Sequence, residues 1–295
     1  MIKIYPKLLF LVSVLLLASC VKKMDETYIP SYINIDEINV LTSSSQGSSS
    51  SYITDAWVYL DGDDRGAYPL PSRIPLLAEG EHLVKIAPGI KLNGVVGTRV
   101  PYPLMEPVEV DLNLIKDSVK NLNIDVRYRS NSKFEMIEDF ENSNLKFETT
   151  TNNKATFRTT HSSSDPLDYV FEGVHSGGGF LNAENSYFQI ITKQLFEELP
   201  KQGVPVFIEL DFKCNTTIVL SVMSYRNGIG ESQDLIYLST TDEWKKIYIN
   251  LTSTISYDTD AFQYKFLLSA NHNANLEESV VLIDNFKLIY RDIEN

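Results

Sequence analysis

Apolar residues recur at the two-residue period of a β-strand in segment after segment of this chain, and almost nowhere at the period of a helix. The alternation is cleanest in Trp244-Lys245-Lys246-Ile247-Tyr248-Ile249-Asn250-Leu251. There Ile247, Ile249 and Leu251 would face a core, and Trp244, Lys246 and Tyr248 would face away. Strand candidates precede it at 32–40, 53–60, 155–160, 187–192, 206–214, 217–225 and 235–238, and follow it at 262–269 and 280–290. In the first the phase slips between Ile35 and Ile38, as a bulge would make it do. One short helix is predicted, over 192–199, stopped by Pro200. A chain of strands and turns folds as sandwiches or barrels, so the fold class is all-β.

Polar punctuation divides the pattern. Arg129-Ser130-Asn131-Ser132 separates a small β-sandwich over 28–130 from a larger sandwich over 131–295. Residues 133–295 are expected to fold alone. Within the first unit Asp61-Gly62 marks a tight turn, and Pro101, Pro103 and Pro107 restrict their segment to an edge or loop. The run from Ser43 to Ser51 is low in complexity and is expected to be a mobile loop.

Charge and cysteine content remove several functions. The net charge is −13, with no basic stripe interleaved with aromatics, so no nucleic-acid partner is expected. Of the two cysteines, Cys214 is in phase with Val206, Ile208, Leu210 and Phe212, which makes it a small core residue rather than a nucleophile. The four histidines never fall at a zinc-ligand spacing. His175-Ser176 followed by Gly177-Gly178-Gly179 lacks the lysine of a phosphate loop and the frame of a nucleophile elbow. No catalytic constellation is identified.

The N-terminus carries a resemblance. Lys3 and Lys7 precede an apolar run from Leu8 to Ala18, too short to span a bilayer and of signal-peptide length. It ends in Leu17-Ala18-Ser19-Cys20, which resembles the bacterial lipobox. The resemblance implies a signal peptide over 1–19 and lipidation of Cys20, with palmitate among its acyl chains. Cleavage would leave a net charge of −15, since Lys3 and Lys7 depart. Residues 20–27 read as a tether. Within it Lys22, Lys23, Asp25 and Glu26 are similar to the surface-export signal of Bacteroidota lipoproteins, with a plain solvated linker as the alternative. The implied location is the outer membrane, at the cell surface.

Two fold resemblances follow. Trp57-Val58-Tyr59-Leu60-Asp61-Gly62, Gly66-Ala67-Tyr68-Pro69, Gly80-Glu81-His82 and Val84-Lys85-Ile86-Ala87-Pro88-Gly89 resemble a PEGA-like β-sandwich, with an insert at Asp63-Asp64-Arg65. Ile137-Glu138-Asp139-Phe140-Glu141, the turn Val174-His175-Ser176-Gly177, the Trp244-Lys245-Lys246 strand and Ile283-Asp284-Asn285-Phe286 together resemble the galactose-binding-like jelly roll of carbohydrate-binding modules. That second resemblance implies a structural calcium held by Asp284, Glu138 and Glu141. Asp284 is also in phase with Leu282, Phe286 and Leu288, and an inward carboxylate needs a cation or hydrogen-bond donors. The alternative is an Asp at the rim bonded to backbone amides. No other cofactor is implied.

For ligands, Tyr187, Tyr225, Tyr237 and Tyr257 are the candidate stacking residues, since sugars bind on aromatic faces. Asp117-Ser118-Val119 is similar to the acceptor of Bacteroidota O-glycosylation, with a plain loop serine as the leading alternative. The leading expectation is a non-enzymatic, lipid-anchored accessory subunit of an outer-membrane protein complex. A surface glycan-binding lipoprotein is the first alternative, and a lipid-anchored glycoside hydrolase the disfavoured one. The lean toward a protein partner rests on Trp244, which the jelly-roll resemblance assigns to packing, leaving only tyrosines for sugar.

Overall fold

The computed structural model describes residues 29–293; the lipobox, the tether and Cys20 lie outside them. Up to residue 127 the strands are β1 (Ser31–Leu41), β2 (Asp55–Leu60), β3 (Asp63–Pro69), β4 (Ser72–Leu76), β5 (Gly80–Lys91), β6 (Arg99–Pro101), β7 (Val108–Leu114) and β8 (Val119–Arg127). One sheet runs β4-β1-β8, and a second runs β3-β2-β5-β6 with β7 also on β5. Ile33, Ile35, Val58, Ile86, Leu112 and Ile124 meet between them. The register of β1 against β8 shifts between Ile35 and Ile38, where the sequence placed its bulge. Asp61 and Gly62 both take positive φ, 51° and 90°, as a two-residue hairpin turn between right-twisted strands requires. Pro101 ends β6, on the sheet edge.

From residue 132 the strands are β9 (Ser132–Glu138), β10 (Phe147–Thr149), β11 (Thr156–His161), β12 (His175–Leu181), β13 (Tyr187–Thr192), β14 (Phe196–Glu197), β15 (Val206–Cys214), β16 (Ile218–Arg226), β17 (Ile229–Leu238), β18 (Thr241–Asn250), β19 (Gln263–Asn271) and β20 (Ser279–Arg291). They make two antiparallel sheets, β10-β13-β19-β16-β17 with β14 on β19, and β11-β12-β20-β15-β18 with β9 on β20. Phe188, Ile208, Leu220, Ile249, Phe266 and Leu288 lie in the core between them. Cys214 is in that core, its Sγ 3.7 Å from the carbonyl of Ser239, and burial pushes its thiol up to about 11.

Two expectations fail on local grounds. The helix over 192–199 is absent: Thr192 ends β13, and Phe196 and Glu197 pair with β19. Phe196 is fully buried in the core, so a two-residue strand that buries it replaces a propensity-driven turn. Among the described residues the α-helix that does form, α1 (Thr252–Tyr257), is about a turn and a half pinned by the buried Ile255. His175-Ser176-Gly177 is strand, not turn. A Cβ at Gly177, Gly178 or Gly179 would stand 2.6, 2.8 and 2.6 Å from the rings of Phe140, Phe180 and Phe188, so the glycines let aromatic rings lie on the backbone of β12.

The serine run is ordered by the second sandwich. Ser44–Gln46 forms one 3-10 turn, and Gln46 Oε1 accepts the Ser43 N–H at 2.9 Å. The Ser48 carbonyl accepts from Lys287 at 2.6 Å, and the Ser50 hydroxyl donates to Asp211 at 2.8 Å. The two sandwiches also share a core. Phe207, Tyr248 and Ile289, on the outer face of the second, are buried among the apolar residues of the first.

Candidate functional site

Strand β15 is buried along almost its whole length, on both faces. Its inward residues Ile208, Leu210 and Phe212 belong to the jelly-roll core, while Phe207, Glu209 and Asp211 look outward toward the first sandwich. An outer face covered by protein cannot hydrate its charges, so each must find a partner. Lys246, on β18, lies 3.6 Å from Glu209 and 3.2 Å from Asp211. The hydroxyls of Tyr102 and Tyr128, from the first sandwich, donate to Glu209 at 2.7 and 2.9 Å. Asn285 donates to Asp211 at 3.1 Å. Burial raises the Asp211 carboxyl even against the pull of Lys246, and holds the Tyr102, Tyr128 and Tyr248 hydroxyls well above their ordinary range. The two tyrosine hydroxyls, with the Ser50 hydroxyl on Asp211, are the bonds that cross between the sandwiches; Lys246 and Asn285 complete the row from within the second.

Beside this joint an open cleft of about 570 Å³ runs along β18. The first sandwich supplies Tyr52, Lys91 and Asn93 to its wall, and the second supplies Phe171, Tyr237 and Trp244. Tyr248 lines it too, its hydroxyl accepting the Tyr52 N–H at 3.0 Å. Asn93 is fixed by two bonds to β18, its N–H to the Tyr248 carbonyl at 3.0 Å and its side-chain oxygen to the Asn250 N–H at 2.8 Å. Lys91 stands 5.6 Å over the Tyr52 ring. Trp244 leans on Phe171 with ring centroids 5.3 Å apart, and its indole N–H donates to the Asp168 carbonyl at 2.9 Å. Half-exposed rings held rigid beside fixed amide and amine groups are what a planar-faced polar ligand such as a sugar needs.

Of the four tyrosines singled out in the sequence, the structure brings only Tyr237 to this cleft. It pairs with Val219, six residues along β16 from Tyr225, a separation of about 20 Å. Tyr225 donates its hydroxyl to the Met223 sulfur, and Tyr187 accepts from the Gln189 side chain. Tyr257 is exposed at the end of α1. They form no shared platform. Trp244 is both packed and open to the cleft, which corrects its assignment to packing alone.

The three carboxylates proposed for calcium do not converge. Glu138 accepts the N–H groups of Phe140 and Lys146, and Glu141 those of Val174 and His175. Asp284 accepts the Ser176 hydroxyl at 2.6 Å and the Asn285 N–H at 2.7 Å. Among the described residues no group of three His, Cys, Asp or Glu side chains is arranged to hold a metal. Asp284 also differs in facing. Asn285 adopts φ 47° and the register slips between Glu209 and Asp211, so Ile283 and Phe286 share the inner face while Asp284 pairs opposite Asp211. Strict alternation across Asn285 missed that inversion.

Sequence reasoning also missed the wall from the first sandwich. A signal was present in Val206-Phe207-Ile208-Glu209-Leu210-Asp211-Phe212, where Phe207 puts a large apolar ring in the otherwise acidic phase. The structure covers that phase too, and its two acids mark a buried polar joint.

No protein-family model matches the chain, and no curated protein matches it. Solved structures do. A family 61 carbohydrate-binding module in complex with β-1,4-galactotriose is 18% identical, with 50% of this chain and 88% of that chain covered and a TM-score of 0.33. A family 11 carbohydrate-binding module of a cellulosomal cellulase from Clostridium thermocellum is 16% identical, with 56% and 98% covered and a TM-score of 0.36. An exo-β-agarase is 12% identical, with 54% and 26% covered and a TM-score of 0.37. At these scores the likenesses carry no argument, and the architecture rests on the sheets themselves: the chain is an all-β protein in which a small sandwich is followed by a jelly-roll sandwich.

Proposed function

We propose that this chain is a non-enzymatic lipoprotein, anchored through Cys20 at the outer surface of the outer membrane, that binds an extracellular glycan in the cleft along β18. The observation that carries the reading is the convergence of Trp244, Tyr52 and Tyr237 on one open cleft whose wall also holds Lys91 and Asn93. Against hydrolysis stands the state of the carboxylates. Asp211 is committed to Ser50, Lys246 and Asn285, which leaves Glu243 as the exposed acid of the lining, whereas glycoside hydrolysis uses an opposed pair.

A glycan array probed with the mature chain tests the reading. Binding should weaken on the order of tenfold or more in Trp244→Ala and persist in Tyr225→Ala, since loss of a stacking ring removes its buried area. A silent array, or binding indifferent to Trp244, overturns it. One observation favours the accessory-subunit reading: Val95 and Val96 are exposed on the loop that carries Asn93, and sugars have little use for aliphatic surface. Copurification with an integral outer-membrane protein, lost in Val96→Asp, would support that reading.

A further inference from the structure

Four large apolar side chains of the first sandwich are exposed together at the end of the molecule where the described chain begins. Ile29, Leu77, Ile115 and Val119 are 50, 65, 58 and 44% exposed. Hydrogen bonds and pairing place them side by side. The Asp117 N–H donates to the Pro30 carbonyl, Tyr32 pairs with Val119, and Ser31 pairs with Leu76. Lys116 reaches Glu79 at 2.8 Å, which ties the turn holding Ile115 to the segment holding Leu77.

Chain length gives this end its setting. Eight residues lie between Cys20 and Ile29, and their nine steps reach at most about 30 Å. Strand β1 then carries the chain away from this end for eleven residues, about 35 Å, toward the serine run and Tyr52. An anchor at Cys20 therefore keeps the apolar end within tether reach of the bilayer, with the cleft toward the far end of β1. We propose that this end is a bilayer-contact surface, with Ile29, Leu77, Ile115 and Val119 seated at the headgroup–acyl boundary. The proposal rests on the lipid-anchor reading of Cys20.

Apolar burial rather than charge drives the contact. Lys116 and Lys120 at this end are balanced by Glu79 and Asp117, so zwitterionic lipid suffices. The Ser118 hydroxyl already donates to the Ile115 carbonyl at 2.7 Å, and a seated surface leaves it no room for a glycan. The surface would stand the molecule upright, with the cleft turned outward.

The test couples the mature, unacylated chain through the Cys20 thiol to maleimide-lipid in phosphatidylcholine vesicles and follows amide hydrogen exchange. Cys214 is buried and does not compete. Peptides covering 76–79 and 115–119 should exchange on the order of tenfold more slowly than in the free protein, with 236–248 unchanged. Leu77→Glu with Ile115→Glu should abolish the slowing. Unchanged exchange at those segments overturns the proposal, as does slowing spread evenly over both sandwiches, which would mean the molecule lies flat. The anchor itself is read separately, by the acyl mass of the native lipoprotein, so its failure is not confused with failure of the surface.

Discussion

Asp284 shows how one left-handed residue changes a side chain's surroundings. With Asn285 at φ 47°, Asp284 leaves the jelly-roll core and enters the buried polar row of the outer face. Burial pushes its carboxyl up from 3.8 to about 8, although Ser176 and Asn285 donate to it. Burial also pulls the neighbouring Lys287 amine down from 10.5 to about 8. The signs follow from proton counts. Between pH 4 and 8 the unfolded chain releases the Asp284 proton while the folded chain keeps it, so this contribution to stability is full below pH 4 and falls toward pH 8. Between pH 8 and 10.5 the unfolded chain holds the Lys287 proton that the folded chain has lost, so that contribution rises. Denaturant unfolding of wild type and Asp284→Asn should therefore show the variant gaining on wild type as pH goes from 4 to 8. A difference that stays flat across that window would remove Asp284 as a titrating group.

At the scale of elements, β12 carries the sharpest constraint. Gly177, Gly178 and Gly179 are in extended strand, and what requires glycine is ring contact, not turn geometry. Gly179→Ala should cost about 1–3 kcal/mol or more, because the Phe188 ring has no space to yield within a packed core. Chemical denaturation reads this directly, and a neutral variant would show that the ring can move. Much of the strand pattern was legible: the bulge after Ile35, the Asp61-Gly62 turn and the facing of Ile247 and Ile249 all follow from side-chain period. Periodicity gave no access to what covers an outer face. The serine run looked mobile because its composition has no apolar content, yet its order comes from Asp211 and Lys287, more than 150 residues away. The tyrosines likewise looked equivalent in sequence, and only strand register separates Tyr237 from Tyr225.

The whole molecule is held by a joint that is apolar at Phe207, Tyr248 and Ile289 and polar where Tyr102 and Tyr128 donate to Glu209 and Ser50 to Asp211. Residues 133–295 alone would expose those three apolar side chains and strip Glu209 of both tyrosine hydroxyls. Water can replace the two hydroxyls at the uncovered Glu209, so the main loss is apolar burial, roughly 1.5–3 kcal/mol for each large side chain exposed, comparable in sum with a small domain's whole stability. The fragment should therefore be markedly less stable than the intact chain or fail to stay soluble, against the independent folding expected from the sequence. Calorimetry of the intact chain should show one transition. Two well-separated transitions, one matching the isolated fragment, would mean the joint couples little.

Lys246 and Lys287 are almost entirely shielded, 8 and 0% exposed, although amines are among the commonest surface groups of any protein. Acylating reagents acting on the native chain will therefore pass both over while the sandwiches stay closed. Their modification yield becomes a clock for opening, and mass spectrometry of two tryptic sites can time the separation of the halves without any attached probe.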